Sequence, residues 1–275
     1  MQAVSTPRMN AIHLQNLSLS IGAKHLLSDV SFTAEAGERI AIVGANGAGK
    51  TTLLRCLLGI IHGDHGDVVI DGENINHLSR SAIAQKIAYV PQSISSDIPF
   101  SVQDFILMSR YSYTGMSHGL LPKDHEGHEV AQTMMQRVGI SHLANRNLGT
   151  LSGGERQKAS LAAALTQQTP ILLLDEPTAH LDPKQQESMQ EVLGEICKTS
   201  NTTMLTVTHD LNWAAMDFHR IIGMRDGKIT HDAPPAEFMT TGNLEEIFDV
   251  TWDLYPHPQS GLPMVVRSLR GSVNT

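Results

Sequence analysis

One segment constrains the fold of this chain more than any other. Residues 44–51 read Gly-Ala-Asn-Gly-Ala-Gly-Lys-Thr and directly follow the apolar run at residues 40–43. In this G-x-x-x-x-G-K-[ST] pattern a buried strand enters a glycine turn and then a helix, so backbone N–H groups converge on one anion. Lys50 adds a positive charge for phosphate oxygens, and the Thr51 hydroxyl suits Mg²⁺. The pattern predicts a nucleoside triphosphate site formed by Gly44, Asn46, Gly47, Ala48, Gly49, Lys50, Thr51 and Thr52.

Composition limits the classes of protein to which the chain can belong. Its 275 residues, 41% of them hydrophobic, are enough to bury the core of one large domain. A net charge of -8 gives no general attraction for nucleic acid, which we therefore exclude as a main partner. The two cysteines fit buried thiols in a reducing compartment. No apolar stretch reaches the roughly 20 residues of a spanning helix, and no signal peptide is apparent, so we expect a soluble, cytoplasmic chain.

The order of apolar segments predicts an α/β fold. Alternation between residues 11 and 33 indicates a half-exposed antiparallel sheet near the N-terminus. Helical segments without an intervening strand predict a helical insertion at about residues 95–168. We expect one domain over residues 10–250, flanked by residues 1–9 and 251–275. Uninterrupted apolar runs, typical of a parallel sheet covered by helices on both faces, lie at residues 40–43, 171–174, 204–207 and 220–224.

Two adjacent carboxylates follow one of these apolar runs. Asp175 and Glu176 come directly after residues 171–174. Ligands of open parallel sheets bind at the carboxyl ends of the strands, so both side chains are expected beside the phosphate loop. There Asp175 suits Mg²⁺, and Glu176 suits a general base for an attacking water.

A second glycine motif lies at residues 151–157, which read Leu-Ser-Gly-Gly-Glu-Arg-Gln. Ser152 and Glu155 form a capping box, with which any helix can begin. Gly153 and Gly154 are harder to explain in this way, because each glycine in a first helical turn costs about 1 kcal/mol. They are explained if a second phosphate group approaches the backbone at this point.

These motifs, in this order, resemble the ATP-binding subunits of ABC transporters over about residues 10–249. The resemblance implies a P-loop (RecA-like) core and a head-to-tail homodimer that holds two ATP molecules, each between the phosphate loop of one subunit and the signature of the other. By position, residues 152–157 correspond to the signature, Gln92 to the Q-loop glutamine, Asp182 to the D-loop aspartate and His209 to the switch histidine.

The resemblance also implies a division of roles. The residues implied for catalysis are Lys50, Gln92, Glu176 and His209. Those implied for Mg²⁺ are Thr51, Gln92 and Asp175. Those implied to contact the ATP of the partner subunit are Ser152, Gly153, Gly154 and Asp182.

Two positions depart from the family pattern. Ile21 occupies the place of an aromatic residue that stacks on adenine. Because base stacking contributes about 1–3 kcal/mol, this departure predicts weaker ATP binding and looser choice of base. Ala163 occupies the place of an arginine, which removes a structural ion pair and leaves the chemistry unchanged.

Within the family, three runs resemble importers for iron–siderophore, haem or cobalamin. They are residues 177–182 with His180, residues 209–215, and residues 109–111 in the helical insertion. This branch implies two membrane permease subunits as partners, a periplasmic or extracellular substrate-binding protein as an indirect one, and a peripheral position on the cytoplasmic face of the inner membrane. An importer for another metal or an oxyanion, an exporter and a soluble ABC ATPase remain as alternatives, whereas a GTPase switch is disfavoured because no guanine-reading motif occurs.

Fourteen histidines also raise the possibility of a metal site. The clusters at His62 and His65, and at His118, His125 and His128, lack cysteine and any fixed tetrahedral spacing. Solvated surface is the better interpretation of both clusters.

Overall fold

The computed structural model describes residues 10–114, 125–179 and 181–268. His118, His180 and the predicted flank at residues 1–9 lie outside this range. The strands are β1 (Asn10–Ile21), β2 (Lys24–Glu35), β3 (Arg39–Gly44), β4 (His65–Ile70), β5 (Glu73–Asn74), β6 (Ile87–Val90), β7 (Ile171–Asp175), β8 (Thr203–Val207), β9 (Arg220–Arg225), β10 (Lys228–Ala233), β11 (Trp252–Pro256) and β12 (Pro263–Arg267). The helices are α1 (Lys50–Leu57), α2 (Arg80–Lys86), α3 (Val102–Met108), α4 (Tyr111–Thr114), α5 (His125–Arg137), α6 (Gly153–Thr166), α7 (Pro183–Ser200), α8 (Leu211–Asp217), α9 (Pro235–Phe238) and α10 (Thr241–Phe248).

The central sheet has the strand order β10-β9-β3-β8-β7-β6. Strands β9, β3, β8, β7 and β6 pair in parallel, and β10 pairs antiparallel with β9. The four predicted apolar runs form β3, β7, β8 and β9, which confirms the predicted parallel core. Because these strands are buried on both faces, they read as continuous apolar runs.

A second, antiparallel sheet has the order β2-β1-β4-β5 and confirms the predicted N-terminal β subdomain. It covers one face of the central sheet. Along β3, Ile40 and Ile42 point into the core shared with this sheet and α1, whereas Ala41 and Val43 point into the core shared with the helices on the other face. This alternation places the end of β3 between two apolar layers.

Between β6 and β7, the regular elements of the described residues are helices, among them α3, α4, α5 and α6. Two of the helices in this half of the chain begin with a side-chain cap that is visible in the sequence. Ser152 and Glu155 form the capping box of α6, and Asp182 caps α7, whose first residue is Pro183. Within the described residues, no helix combines the length and hydropathy needed to cross a bilayer.

The structure contains strands that the sequence analysis did not predict. Strand β6 has only four residues, which is too short for a clear period. Strands β9 and β10 form a hairpin around Asp226 and Gly227, an Asp-Gly turn that could have revealed β10. In the segment treated as a tail, β11 and β12 pair as a hairpin. The side-chain amide of Asn212 in α8 holds this hairpin, accepting from Val265 N at 2.7 Å and donating to Val265 O at 3.3 Å.

Candidate active site

The loop between β3 and α1 has the close backbone packing that its glycines predict. A Cβ at Gly44 would lie 2.2 Å from the carbonyl oxygen of Met224 in β9, so a side chain there would push the two strands apart. Gly49 caps α1 at φ 99°, a conformation that side chains disfavour. The loop therefore closes tightly at the N-terminus of α1, where backbone N–H groups can meet an anion.

Lys50 is held inside this loop. The residue is only 6% exposed, and its Nζ donates to the carbonyl oxygens of Gly44 at 2.7 Å and Ala45 at 2.9 Å. Burial lowers the pKa of Lys50 from its usual value, and the negative charges of Glu176 and Asp175 partly oppose this effect. The ammonium group is thus positioned by the backbone that surrounds the phosphate site.

An open cleft of about 430 Å³ lies over the loop. It is lined by most of the predicted phosphate-contacting residues, by two predicted catalytic residues from other elements, and by two residues of β2 that the sequence analysis did not single out. The lining residues are Lys24, Leu26, Asn46, Gly47, Ala48, Gly49, Lys50, Thr51, Thr52, Gln92 and Glu176.

Asp175 lies at the end of β7 and contacts the loop directly. Its carboxylate is 2% exposed and accepts hydrogen bonds from Thr51 Oγ1 at 3.2 Å and Tyr89 Oη at 3.4 Å. Burial raises the pKa of Asp175, an effect that the hydrogen bond from Thr51 opposes. Burial also raises the pKa of Tyr89 to about 12, so this phenol remains a donor. Tyr89 is a site residue that the sequence analysis missed, because nothing in the order of residues places β6 beside β7.

Glu176 is held from two sides. Its Oε2 accepts from Gln92 Nε2 at 2.9 Å, and its Oε1 lies 2.9 Å from Nε2 of His209. The backbone N–H of Glu176 donates to Val207 O at 2.9 Å, which fixes the end of β7 beside the end of β8. Glu176 itself adopts φ 49°, a left-handed conformation that is uncommon outside glycine. The strained turn directs the carboxylate into the cleft between Gln92 and His209.

The donor set near the loop fits a hard cation. Thr51 Oγ1 lies 3.2 Å from Asp175 Oδ1, and Gln92, which also carries an amide oxygen, lines the same cleft as Thr51. Oxygen ligands of this kind are those that Mg²⁺ prefers. Nowhere in the described residues, this cleft included, do three His, Cys, Asp or Glu side chains group closely enough to hold a metal ion by themselves.

The signature residues stand apart from this cleft, whose lining contains none of residues 151–157. Gly154 packs closely, since a Cβ there would lie 2.6 Å from Gln185 Oε1 in α7. Because this oxygen is the end of a flexible side chain that can move aside, the contact with α7 is close but does not by itself require a glycine. A Cβ at Gly153 would meet no described atom within 4 Å, so packing does not explain that glycine.

Asp182 likewise lies outside the cleft lining. Its Oδ1 accepts from Gln185 N at 2.9 Å, and this backbone hydrogen bond lowers the pKa of the exposed carboxyl. Within one subunit, the structure thus brings together Lys50, Thr51, Gln92, Asp175, Glu176 and His209, and it leaves Ser152, Gly153, Gly154 and Asp182 at a separate surface.

Comparison with known proteins gives this arrangement a family. A family model described as ABC transporter matches residues 27–179, more than half of the chain. The chain belongs to the ABC transporter family. The predicted resemblance is confirmed, and as a member of the ABC ATPase family the chain is by class an ATP hydrolase.

Curated relatives extend the similarity over nearly the whole of this ABC ATPase. The ferric enterobactin transport ATP-binding protein FepC of Escherichia coli (strain K12) is 35% identical over 252 residues, which cover 92% of each chain. The hemin import ATP-binding protein HmuV of Bordetella avium (strain 197N) is 33% identical over 262 residues, which cover 93% of this chain and 98% of HmuV. By name, the first is an ATP-binding protein of ferric enterobactin transport and the second an ATP-binding protein of hemin import.

Solved structures confirm the predicted fold class. A metal-chelate type ABC transporter in an inward-facing conformation superposes with a TM-score of 0.79 at 26% identity, covering 94% of this ABC ATPase and 96% of that chain. The dimeric ATP-binding cassette MJ0796, bound to ADP and Pi after hydrolysis, superposes with a TM-score of 0.72 at 27% identity, covering 81% of this chain and 98% of that one.

Proposed function

We propose that this chain is the ATP-hydrolysing subunit of an ABC importer for an iron–siderophore complex, haem or cobalamin. The observation that carries the ATPase assignment is the position of Glu176, which lies between Gln92 and His209 in the cleft that Lys50 lines. The names of FepC and HmuV support a siderophore or haem as cargo.

Each residue of the cleft has a defined task in this proposal. Lys50 and the loop N–H groups bind the phosphates. Thr51, Asp175 and Gln92 would hold Mg²⁺, which would neutralise phosphate charge when bound. Glu176 accepts a proton from the attacking water. His209 orients Glu176 through Nε2 and contacts the terminal phosphate. Catalysis is then positioning combined with electrostatic stabilisation.

The signature surface completes the site from a second copy of the chain. Ser152, Gly153, Gly154 and Asp182 lie away from the cleft of their own subunit, and this separation supports a head-to-tail homodimer in which they contact the ATP of the partner. The dimeric cassette of MJ0796 supports the same assembly. The closing motion passes to two permease subunits at the cytoplasmic face of the membrane, which receive cargo from a substrate-binding protein outside.

A variant that binds ATP without hydrolysing it tests the proposal. We expect tagged Glu176→Gln, incubated with ATP and Mg²⁺ in detergent-solubilised membranes of the native host, to retain a polytopic permease. The matched control is Glu176→Gln combined with Lys50→Met, which weakens ATP binding and therefore recovers less permease. The wild-type chain must also hydrolyse ATP for this result to support the proposal.

Three outcomes would contradict parts of the proposal. Recovery of an exporter or of ribosomal proteins would overturn the importer and leave the ATPase intact. A permease for another metal or an oxyanion would correct the cargo. Near-normal hydrolysis by Glu176→Gln would overturn the assignment of the general base.

A further inference from the structure

A buried glutamine joins two segments that the proposed mechanism assigns to different nucleotides. Gln157, in the second turn of α6, is 5% exposed, and its Nε2 donates to the carbonyl oxygen of Pro91 at 3.2 Å. Pro91 directly precedes Gln92, whose Nε2 donates to Glu176 Oε2 at 2.9 Å. Two hydrogen bonds and one peptide unit therefore connect the start of α6 with Glu176.

The loop that contains Gln92 needs such an anchor. Residues 91–100 form neither helix nor strand, although β6, which precedes them, packs against α6. The far end of the loop is held by Leu148 N, which donates to Phe100 O at 2.9 Å. At the near end Pro91 has no N–H, so its carbonyl is the only backbone group through which it can form a hydrogen bond. Gln157 holds the loop by this carbonyl.

The choice of glutamine at this depth in α6 also needs a reason. The buried residues that follow it on the helix are mostly apolar; the polar exceptions are Ser160 and Thr166, and the Thr166 hydroxyl donates to Ala162 O within the helix itself. A buried amide lowers stability unless it is hydrogen-bonded, and an apolar side chain of similar size would pack without that requirement. The partner of the Gln157 amide, the Pro91 carbonyl, belongs to the loop and not to α6 itself. This arrangement favours a role in positioning the loop over a role in filling the core.

We propose that Gln157 is a positioning residue that couples the two ATP sites of the dimer. The inference rests on the proposed function: the signature at the start of α6 contacts the ATP of the partner subunit, whereas Gln92 and Glu176 face the ATP of their own subunit. Engagement of the signature moves α6, and Gln157 transmits the movement to Pro91 and so to Gln92. Hydrolysis at one site then depends on whether the other site is occupied.

Two substitutions test the coupling. Gln157→Glu keeps the shape of the side chain but replaces the amide donor with a carboxylate, and Gln157→Leu removes the polar group altogether. The matched control is Gln85→Glu, because Gln85 Nε2 also donates to a backbone carbonyl, that of Ser112 at 2.6 Å, at a place that has no link to Glu176. The measurements are ATP hydrolysis against ATP concentration, nucleotide affinity by equilibrium binding, and Tm.

We expect sigmoidal hydrolysis from the wild type and from Gln85→Glu. Both Gln157 variants should lose kcat by about tenfold or more, as misplaced catalytic groups do, with a Hill coefficient that falls to unity and an unchanged nucleotide Kd. A structural role alone would lower Tm, raise the nucleotide Kd and leave the Hill coefficient unchanged, and this result would overturn the inference.

Two further results would also refute the coupling. One is wild-type kcat and sigmoidality in both Gln157 variants, and the other is hyperbolic hydrolysis by the wild type. The proposed function fails separately, if the wild-type chain hydrolyses no ATP at all.

Discussion

Replacing Lys50 with methionine separates the binding of phosphate from the stability of the fold. Lys50 Nζ donates to Gly44 O and Ala45 O, and the residue is 6% exposed, so the side chain is both buried and charged. Methionine fills a similar volume without the cost of burying a charge. Ala45 is exposed, so water can replace the lost donor at its carbonyl oxygen, and removal of the buried charge offsets the loss at the buried Gly44. We therefore expect a small change in Tm for Lys50→Met.

The expected loss of ATP binding is much larger. A hydrogen bond to a charged group contributes about 1.5–3 kcal/mol, and every 1.4 kcal/mol is about tenfold in Kd. Lys50→Met should therefore weaken MgATP binding by about 10- to 150-fold. The loop N–H groups remain, so binding is weakened and not abolished.

Calorimetric titration with MgATP at physiological salt measures this loss, with Lys24→Met as the matched control. Lys24 lines the same cleft and carries the same charge, but it is exposed and no hydrogen bond joins it to the loop carbonyls. Screening makes its contribution small, and we expect less than about a threefold change. Equal losses in the two variants would refute the argument that the loop positions Lys50 for phosphate.

Three further predictions concern single side chains. Ile21 is the last residue of β1 and is 62% exposed. Without an aromatic ring at this position the wild type should bind ATP and GTP equally, and Ile21→Tyr should tighten ATP binding. A sharp ATP preference of the wild type in competition titrations would contradict this. Burial raises the pKa of Asp175, so the ionised carboxylate lowers stability once the pH exceeds the ordinary pKa of aspartate. Without nucleotide, Asp175→Asn should therefore have a higher Tm than the wild type at pH 7. In thermal scans this difference in Tm should narrow toward about pH 4. A lower Tm at pH 7 would show that the hydrogen bonds from Thr51 and Tyr89 outweigh burial. Burial also raises the pKa of Cys56 and Cys197 to about 11, so a disulfide reagent at pH 8 should label neither thiol until denaturant is added, and labelling of the native chain would contradict their burial.

Local patterns predicted a large part of the site. The geometry of the glycine-rich loop was predictable, because the strand before it and the helix after it are its direct neighbours in the chain. Asp175 and Glu176 were also predictable, since they follow a strand that is apolar on both faces. Their convergence with the loop follows from the rule that parallel strands present their carboxyl ends at one edge.

Other contacts were not predictable, because they join segments that are distant in the chain. The hydrogen bond from Tyr89 to Asp175 depends on the pairing of β6 with β7. The sequence argument that packing gives no reason for either glycine holds for Gly153, where a Cβ would meet no described atom within 4 Å, whereas Gly154 lies against Gln185 of α7. The hairpin of β11 and β12 is stabilised by Asn212, which lies 53 residues before its hydrogen-bond partner Val265.

The sequence by itself determined the family, the parallel core and the identity of the groups that can bind phosphate and activate water. It did so because motifs and strand periodicity involve residues that are close in sequence, so they can be recognised without knowledge of how distant segments pack. Only the tertiary structure decided that Glu176 is held between Gln92 and His209, and that Gln157 reaches Pro91. Those distances depend on how helices and strands pack across the sheet, and packing is a property of the whole chain.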